Sequence, residues 1–245
     1  MRITVTIAST GRPTLARTLA SLDAITCPPG VELDIVIADD TRDGKAAAIV
    51  AGRTSPILPV TVLAVGAGNV SLARNACLDA ATGDILAFVD DDEWVARDWL
   101  EKLLAAWSEL GADCLFGPVL PQYPETTPAW VKAADPLYTD WGSRGRVVTV
   151  GRCGNTLVRR SLIESPAVRF DPALGRVGGE DTDFFKRLAR RGARMLVTDD
   201  ALVYEDAPPH RLTVRHFRER AVRKGQIYAR FRTGQPEIGA LSRAG

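Results

Sequence analysis

Histidine and paired cysteine motifs are scarce in this sequence. Its 245 residues include two histidines and four cysteines, and no two cysteines form a C-x-x-C pair. A structural zinc site needs several such ligands at short spacing. The sequence therefore predicts no zinc site, and its scattered cysteines are typical of reduced thiols in the cytosol.

Long apolar runs and an excess of one charge are also missing. No segment approaches the roughly 20 apolar residues that cross a bilayer, and the N-terminus enters a strand-like pattern without a signal peptide. The 31 basic and 30 acidic residues give a net charge of +1, so the protein has no strong overall positive potential that would attract nucleic acid. We expect a cytoplasmic protein without a nucleic acid partner.

Two nucleotide-binding motifs are absent as well. Neither a G-x-G-x-x-G fingerprint nor a P-loop follows the first predicted strand. Their absence argues against an NAD-dependent dehydrogenase and against an ATPase.

Short apolar segments alternate with helical patterns in the first 90 residues. Strands are predicted at 2–9, 33–38, 60–65 and 85–89, and helices at 12–22, 46–51 and 71–81. Almost uninterrupted apolar strands separated by helices are typical of a parallel sheet covered on both faces. We predict an α/β, Rossmann-like, mostly parallel sheet flanked by helices on both faces. Its polar strand ends should share one edge, where ligands bind in such sheets.

The length and composition fit a single domain. We predict one domain over residues 1–235, with a nucleotide-binding half at about 1–115, an acceptor-binding half at about 116–235, and a tail at 236–245. Further strands are predicted at 114–120, 147–150 and 156–159.

Three adjacent acids, Asp90, Asp91 and Asp92, follow the strand predicted at 85–89. Neighbouring carboxylates raise each other's cost of ionisation, so a cation is expected beside them. Hard oxygen ligands suit Mg²⁺ and Mn²⁺, and Mg²⁺ tends to bind through one or two carboxylates plus substrate phosphates. The triplet therefore indicates a divalent metal site.

A second acidic cluster begins another predicted helix. Gly178 and Gly179 precede Glu180, Asp181 and Asp183, and glycine permits an unusual backbone or a close approach of substrate. The two clusters together fit a displacement at a sugar or phosphate centre. In such a reaction a metal neutralises the departing diphosphate, and a separate carboxylate takes the proton from the attacking hydroxyl.

Helix capping is the alternative explanation of both clusters. Asp92 or Glu93 is suitably placed to cap a helix predicted from Trp94 onwards, and Asp181 or Thr182 to cap the helix of the second cluster. Capping needs only one acid at each helix, so it is compatible with a second role for the remaining acids of each cluster.

The order of the motifs resembles that of the family-2 inverting nucleotide-sugar glycosyltransferases, which have the GT-A fold. Within that family, the resemblance is to the bacterial branch that assembles polysaccharides and includes the succinoglycan-type glucosyltransferases. The matching motifs run in the family's order between about residues 3 and 225. They are Ser9-Thr10-Gly11-Arg12-Pro13, Val36-Ile37-Ala38-Asp39-Asp40, Ala73-Arg74-Asn75 with Gly83, Phe88-Val89-Asp90-Asp91-Asp92, Gly154-Asn155, and Glu180-Asp181 with Arg187. The resemblance implies transfer of a sugar from a nucleoside diphosphate sugar, with UDP favoured, to a hydroxyl of a glycan or lipid-linked acceptor.

The resemblance also implies which residues bind the donor. Asp39 and Asp40 resemble the acids that read the base and ribose, and Arg74 stands at the position of a nucleotide contact. After Asp40 the chain has Thr41-Arg42-Asp43-Gly44, one residue shorter than the family's usual pattern. The other donor-binding residues that we predict are Ser9, Arg12, Asp90, Asp91 and Arg211.

Metal binding and catalysis are implied in the same way. Asp90 and Asp92 match the first and last acids of the D-x-D motif, so they imply a Mn²⁺ or Mg²⁺ site with Asp92 as the direct ligand. His210 is a candidate further ligand. Asp181 matches the catalytic base, and Glu180 would orient it or touch the acceptor.

Two other functions stay open at this point. A nucleotidyltransferase would carry a glycine-rich basic loop after the first strand, of which Gly11-Arg12 is a short version. A catalytically inactive nucleotide-sugar-binding subunit is disfavoured by the intact Asp92 and Asp181. The basic segment at 211–232 is either a solvated helix face or a contact with the cytoplasmic side of a membrane, where lipid-linked acceptors reside.

Overall fold

The structure is a computed structural model that describes residues 1–54, 56–164 and 167–233. The chain forms two compact units. The larger unit comprises Met1–Gln122 and Leu137–Asp206, and the smaller comprises Tyr123–Pro136 and the described residues that follow Asp206. The proposed division into a donor half and an acceptor half near residue 115 stays a prediction.

The described elements alternate between strands and helices over most of the larger unit. The strands are β1 (Arg2–Ser9), β2 (Glu32–Asp39), β3 (Val60–Ala64), β4 (Ile85–Phe88), β5 (Glu93–Val95), β6 (Cys114–Phe116), β7 (Val119–Gln122), β8 (Thr156–Arg159), β9 (Met195–Val197) and β10 (Val203–Asp206). The helices are α1 (Leu15–Asp23), α2 (Lys45–Ala51), α3 (Val70–Ala80), α4 (Trp99–Leu110), α5 (Ala129–Ala134), α6 (Ser161–Glu164), α7 (Glu180–Arg190) and α8 (Val214–Thr233), with a 3₁₀ helix at Pro209–Arg211. Of the helices in the described ranges, none combines the length and hydrophobicity that crossing a bilayer requires.

Seven strands form the central sheet in the order β3-β2-β1-β4-β8-β6-β9. Neighbouring strands run parallel except at β8, which is antiparallel to both β4 and β6. The mostly parallel α/β sheet predicted from the apolar strands is confirmed.

Helices cover both faces of this sheet because side chains alternate along each strand. Val5 of β1 and Ile35 of β2 belong to the same apolar cluster as residues of α1, α2 and α4. Val36 and Ala38 of β2 cluster with residues of α3, and Phe88 of β4 clusters with residues of α7. Both sides of the central strands are therefore buried, including the side of β1 that carries Thr4 and Thr6.

The register of the parallel strands places the functional segments at one edge. Ser9, the last residue of β1, lies opposite Asp39, the last residue of β2, and Thr6 lies opposite Phe88 at the end of β4. The polar residues that follow β1, β2 and β4 therefore emerge at the same carboxyl edge, as the sequence pattern predicted.

Two predicted elements differ in the structure. The strand predicted at 114–120 is two strands, since Gly117-Pro118 separates β6 from β7, and β7 belongs to a second sheet with the order β5-β10-β7. The strand predicted at 147–150 makes only an isolated bridge between Val147 and Leu196 within the part of the chain that the structure describes.

The capping explanation of the Asp90–Asp92 triplet is wrong. Glu93 begins β5, which pairs with β10 instead of joining a helix, and α4 begins later, at Trp99. Asp98 occupies the cap position of α4 and makes no side-chain cap hydrogen bond. The triplet is consequently not a helix start.

Candidate active site

Asp91, the middle acid of the triplet, fixes the loop that follows β1. Its carboxylate is buried and accepts hydrogen bonds from Ser9 Oγ at 2.8 Å, from the Thr10 N–H at 3.0 Å and from Arg12 Nη1 at 3.1 Å. Both Ser9 and Asp91 thus have a structural role that the sequence did not indicate. Their contact with a donor stays a prediction.

The outer two acids of the triplet border a cavity of about 340 Å³ at the carboxyl edge of the sheet. The Asp90 side chain is 43% accessible, and Asp92 accepts a hydrogen bond from Arg12 Nη1 at 2.5 Å. The other lining residues are Ala8, Thr10, Arg12, Val70, Arg74, Asp91 and Glu205. The volume lies within the range of small-molecule sites, and the position at the strand ends is where ligands bind in open α/β sheets.

The surroundings of Asp90 disfavour its ionised form. The surrounding protein raises the pKa of Asp90 to about 6, chiefly by desolvation. Asp92 and Asp181 raise this pKa further by repulsion, and Arg74 opposes them. A divalent cation beside Asp90 would stabilise its ionised form, because opposite charge favours ionisation.

Glu93 holds the backbone of the triplet through a hydrogen bond. It is a buried acid whose Oε2 accepts a hydrogen bond from the Asp90 N–H at 3.0 Å. Burial, and then repulsion from Asp90, hold the pKa of Glu93 well above its usual range. Sequence reasoning assigned Glu93 only a capping role, whereas the structure has it holding the backbone of Asp90.

Arg74 of α3 joins the two acidic clusters. Its side chain is largely buried, and Nη1 donates to Glu180 Oε1 at 2.9 Å and to Asp181 Oδ1. Nη2 lies 3.6 Å from Asp90 Oδ1. Acids that are far apart in the sequence therefore surround one guanidinium. Burial and repulsion from Asp181 raise the pKa of Glu180, although Arg74 partly offsets both effects.

The start of α7 presents Asp181 to Arg74. Gly178 and Gly179 have φ values of 87° and 96°, a backbone conformation that residues with a Cβ rarely adopt. Gly179 is the cap residue of α7, so capping by Asp181 or Thr182 is wrong. Asp181 Oδ2 instead accepts a hydrogen bond from the Cys153 N–H at 3.2 Å, which fixes the carboxylate from the side opposite Arg74's contact.

Asp39 and Asp40 at the end of β2 organise two loops. Asp39 accepts hydrogen bonds from the Thr41 N–H and hydroxyl and from the Ala47 N–H. Burial opposes ionisation of Asp39, but these hydrogen bonds outweigh it and lower its pKa below the ordinary value. Asp40 accepts three backbone N–H groups between residues 67 and 69. A carboxylate has about four acceptor positions, so Asp40 retains one, whereas Asp39 is 1% exposed and also accepts the Ala46 N–H. Their contacts with the donor stay predictions.

The acids at the cavity fit a metal ion only if a substrate supplies further oxygen ligands. Within the described ranges, no group of three or more His, Cys, Asp or Glu side chains is arranged to hold a metal ion. Asp90 and Asp92 do border the cavity, and one or two carboxylates plus substrate phosphates are a usual Mg²⁺ environment. His210 and Arg211 lie in the 3₁₀ helix of the smaller unit, and their assigned roles stay predictions.

The chain is similar in sequence to known proteins. Residues 3–165 match the family described as glycosyl transferase family 2. The succinoglycan biosynthesis protein ExoM of Rhizobium meliloti (strain 1021) is 38% identical over 234 residues, which cover 94% of this chain and 75% of that protein.

Solved structures share its fold. TarS 1-349 of S. aureus, crystallised with UDP-GlcNAc, superposes with a TM-score of 0.65 and 20% identity over 85% of this chain and 59% of that one. The mannosyltransferase PcManGT of Pyrobaculum calidifontis, in complex with GDP-Man and Mn²⁺, superposes with a TM-score of 0.67 and 19% identity over 97% of this chain and 65% of that one. The chain spans less than two thirds of the length of both solved chains.

Proposed function

Because the chain belongs to glycosyl transferase family 2, we propose that it transfers a sugar from a nucleoside diphosphate sugar to a hydroxyl acceptor with inversion at the anomeric carbon. One observation carries this proposal. Asp90 and Asp92 line a cavity at the carboxyl edge of the sheet, and Arg74, which also lines it, pairs with both Asp90 and Asp181. The proposed reaction requires carboxylates at two places, one beside the leaving group and one beside the attacking hydroxyl.

Asp181 is the residue that we assign to proton removal. In the proposed reaction the acceptor oxygen forms a bond to the anomeric carbon, the bond from that carbon to the diphosphate oxygen breaks, and Asp181 takes the hydroxyl proton. Arg74 and the Cys153 N–H each use one acceptor position of the carboxylate, so positions remain for the acceptor hydroxyl. Their contacts orient the base, which lowers the entropy cost of reaching the transition state.

Arg74 and Arg12 are the cations that the chain itself places beside the cavity. Arg12 pairs with Asp92, and Arg74 lies near Asp90, so both lie beside the acids that we assign to the donor end. Mn²⁺ or Mg²⁺ held by Asp92 and Asp90 would add charge stabilisation for the departing diphosphate. Glu180 shares Arg74 with Asp181 and is assigned to orient the base or to contact the acceptor.

The relatives support a proposal for the substrate class. TarS was crystallised with UDP-GlcNAc, PcManGT with GDP-Man and Mn²⁺, and ExoM is named for succinoglycan biosynthesis. We propose a UDP-sugar as donor and a glycan or lipid-linked intermediate of polysaccharide assembly as acceptor, in the cytoplasm. Family membership argues against the nucleotidyltransferase alternative. A catalytically inactive subunit would bind the donor without transferring it.

A thermal-shift panel tests the donor. UDP, GDP, dTDP and CMP sugars are each added with and without Mn²⁺. A ligand at about 100 times its Kd stabilises the folded state by about 2.7 kcal/mol, which for a chain of this size raises Tm by about 5–11 °C. We expect that shift for a UDP-sugar with Mn²⁺. A shift from another nucleotide alone would contradict the UDP assignment, and no shift from any nucleotide sugar would contradict the proposed function.

We also propose that α8 contacts an anionic membrane surface. This helix of the smaller unit carries seven Arg and Lys residues against one Glu over 20 residues. Val214, Val222 and Tyr228 are exposed apolar or aromatic side chains on the same helix. Basic helices with exposed apolar residues bind the headgroup region of anionic bilayers.

Vesicle co-sedimentation tests the membrane contact. The protein is expected to bind phosphatidylglycerol-containing vesicles and not phosphatidylcholine vesicles. Each basic residue near such a surface contributes about 1 kcal/mol, so the double variant Arg218→Glu, Arg223→Glu should bind at least about thirtyfold more weakly. Arg97→Glu, an equal change per residue on the larger unit, is the control and should bind normally. Absence of binding to either vesicle type would favour the solvated-face explanation, and equal binding to both would contradict an electrostatic contact.

A further inference from the structure

Asn69 is a buried residue at the start of α3, the helix that carries Arg74. Its side chain is 7% exposed. Oδ1 accepts the N–H groups of Ser71 at 3.1 Å and Leu72 at 3.3 Å and so forms the N-cap of α3. These bonds satisfy two of the backbone donors that every helix start leaves unpaired.

The backbone of Asn69 is held at the donor end of the site. Its N–H donates to Asp40 Oδ2 at 2.7 Å, and the N–H groups of Ala67 and Gly68 donate to Asp40 Oδ1. Asp40 is the acid at the end of β2 that we assign to the nucleotide. The start of α3 is therefore fixed to that acid.

The amide nitrogen of Asn69 makes a third connection. Nδ2 donates to the Pro172 carbonyl oxygen at 2.9 Å. The neighbouring Val70 N–H donates to the Gly175 carbonyl, and Arg176 donates to the carbonyl oxygens of Gly68 and Ala67. Asn69 therefore contacts the 172–176 segment, which continues through Gly178 and Gly179 into α7 and Asp181.

The fit between the two segments leaves no space at Gly175. A Cβ on this residue would lie 1.8 Å from Asn69 Oδ1. The 172–176 segment therefore packs directly on the Asn69 side chain.

We propose that Asn69 is a positioning residue for sugar transfer. It connects the nucleotide-side acid Asp40, the helix of Arg74 and the segment that leads to Asp181. The inference rests on the proposed function and adds to it a residue that touches none of the reacting groups. Arg74 and Asp181 meet correctly only if the starts of α3 and α7 keep their separation, and displacements of about 1 Å reduce catalysis by about a hundredfold.

Two substitutions isolate the connection to Pro172. Asn69→Ser and Asn69→Asp keep a side-chain oxygen that caps α3, but both lose the Nδ2 donor. Loss of one buried hydrogen bond at this point should reduce kcat for transfer by about tenfold, while the donor Kd changes by less than about twofold. The amides of residues 173–178 should exchange with deuterium faster in both variants. Asp79→Asn is the control, since Asp79 pairs with Arg169 at the exposed far end of α3.

The double variant Asn69→Ser, Asp181→Asn separates positioning from general destabilisation. If Asn69 acts through Asp181, Asn69→Ser should not lower the residual transfer of Asp181→Asn further. Unchanged amide exchange at residues 173–178 in both single variants overturns the inference, and so does normal kcat. Absence of transfer by the unaltered protein overturns the proposed function instead, while the exchange measurement still decides whether Asn69 holds the segment.

Discussion

Asp181→Asn is expected to remove nearly all sugar transfer, by about 10²–10⁴-fold in kcat, because a positioned general base contributes about that much. Asparagine has the same shape and keeps an oxygen for the Cys153 N–H, but it does not take up a proton. Arg74 retains Glu180 as a partner. Donor affinity should therefore stay within about twofold, since the lost interaction acts on the transition state.

Asp183→Asn is the matched control for this prediction. Asp183 belongs to the same first turn of α7, but its carboxylate accepts a hydrogen bond from Arg187 Nε at 2.7 Å. Transfer by this variant should be close to normal. Steady-state kinetics with a saturating donor measure both variants, and an Asp181→Asn enzyme that retains a tenth of the normal kcat would refute the base assignment.

Asp92→Asn is expected to eliminate the manganese-dependent part of donor binding. A divalent metal held by Asp92 would supply several kcal/mol of charge stabilisation to the bound diphosphate, so the Kd for UDP in Mn²⁺ should rise by about a hundredfold or more. In the absence of metal the variant and the unaltered protein should bind UDP similarly. Isothermal titration calorimetry with and without Mn²⁺ makes this comparison.

Asp98→Asn serves as the control for Asp92. Asp98 is a nearby acid at the cap position of α4, where it pairs with Lys102 at 2.8 Å, and both side chains are exposed. It should leave the manganese effect intact. If Asp92→Asn preserves that effect, the metal lies elsewhere, and Asp90 and His210 would each be tested separately as ligands.

The central sheet was predictable because its signal is local. Strands β1 to β4 are almost continuously apolar, helical spacing separates them, and the register of parallel strands then brings their polar ends to one edge. The break between β6 and β7 was not predictable in the same way, since Gly117-Pro118 lies inside one apolar run and the second sheet depends on pairing with β10.

The sequence indicated which types of residue form the site better than it indicated what each residue does. Asp90, Asp91 and Asp92 are chemically alike in the sequence, but the structure buries Asp91 against the loop that follows β1 and leaves Asp90 and Asp92 more exposed at the cavity. That difference arises from the direction of each side chain. Similarly, nothing local to Asn69 indicates a partner 103 residues away, at Pro172.

The contact between Asn69 and Gly175 restricts how the sequence can evolve. A methyl group at position 175 would overlap Asn69 Oδ1 and would also lie 2.8 Å from the Ser71 backbone nitrogen, so shortening residue 69 alone does not make room for a side chain there. Position 175 should therefore stay glycine among homologues that keep this contact, and a saturation library of position 175 should recover few active clones.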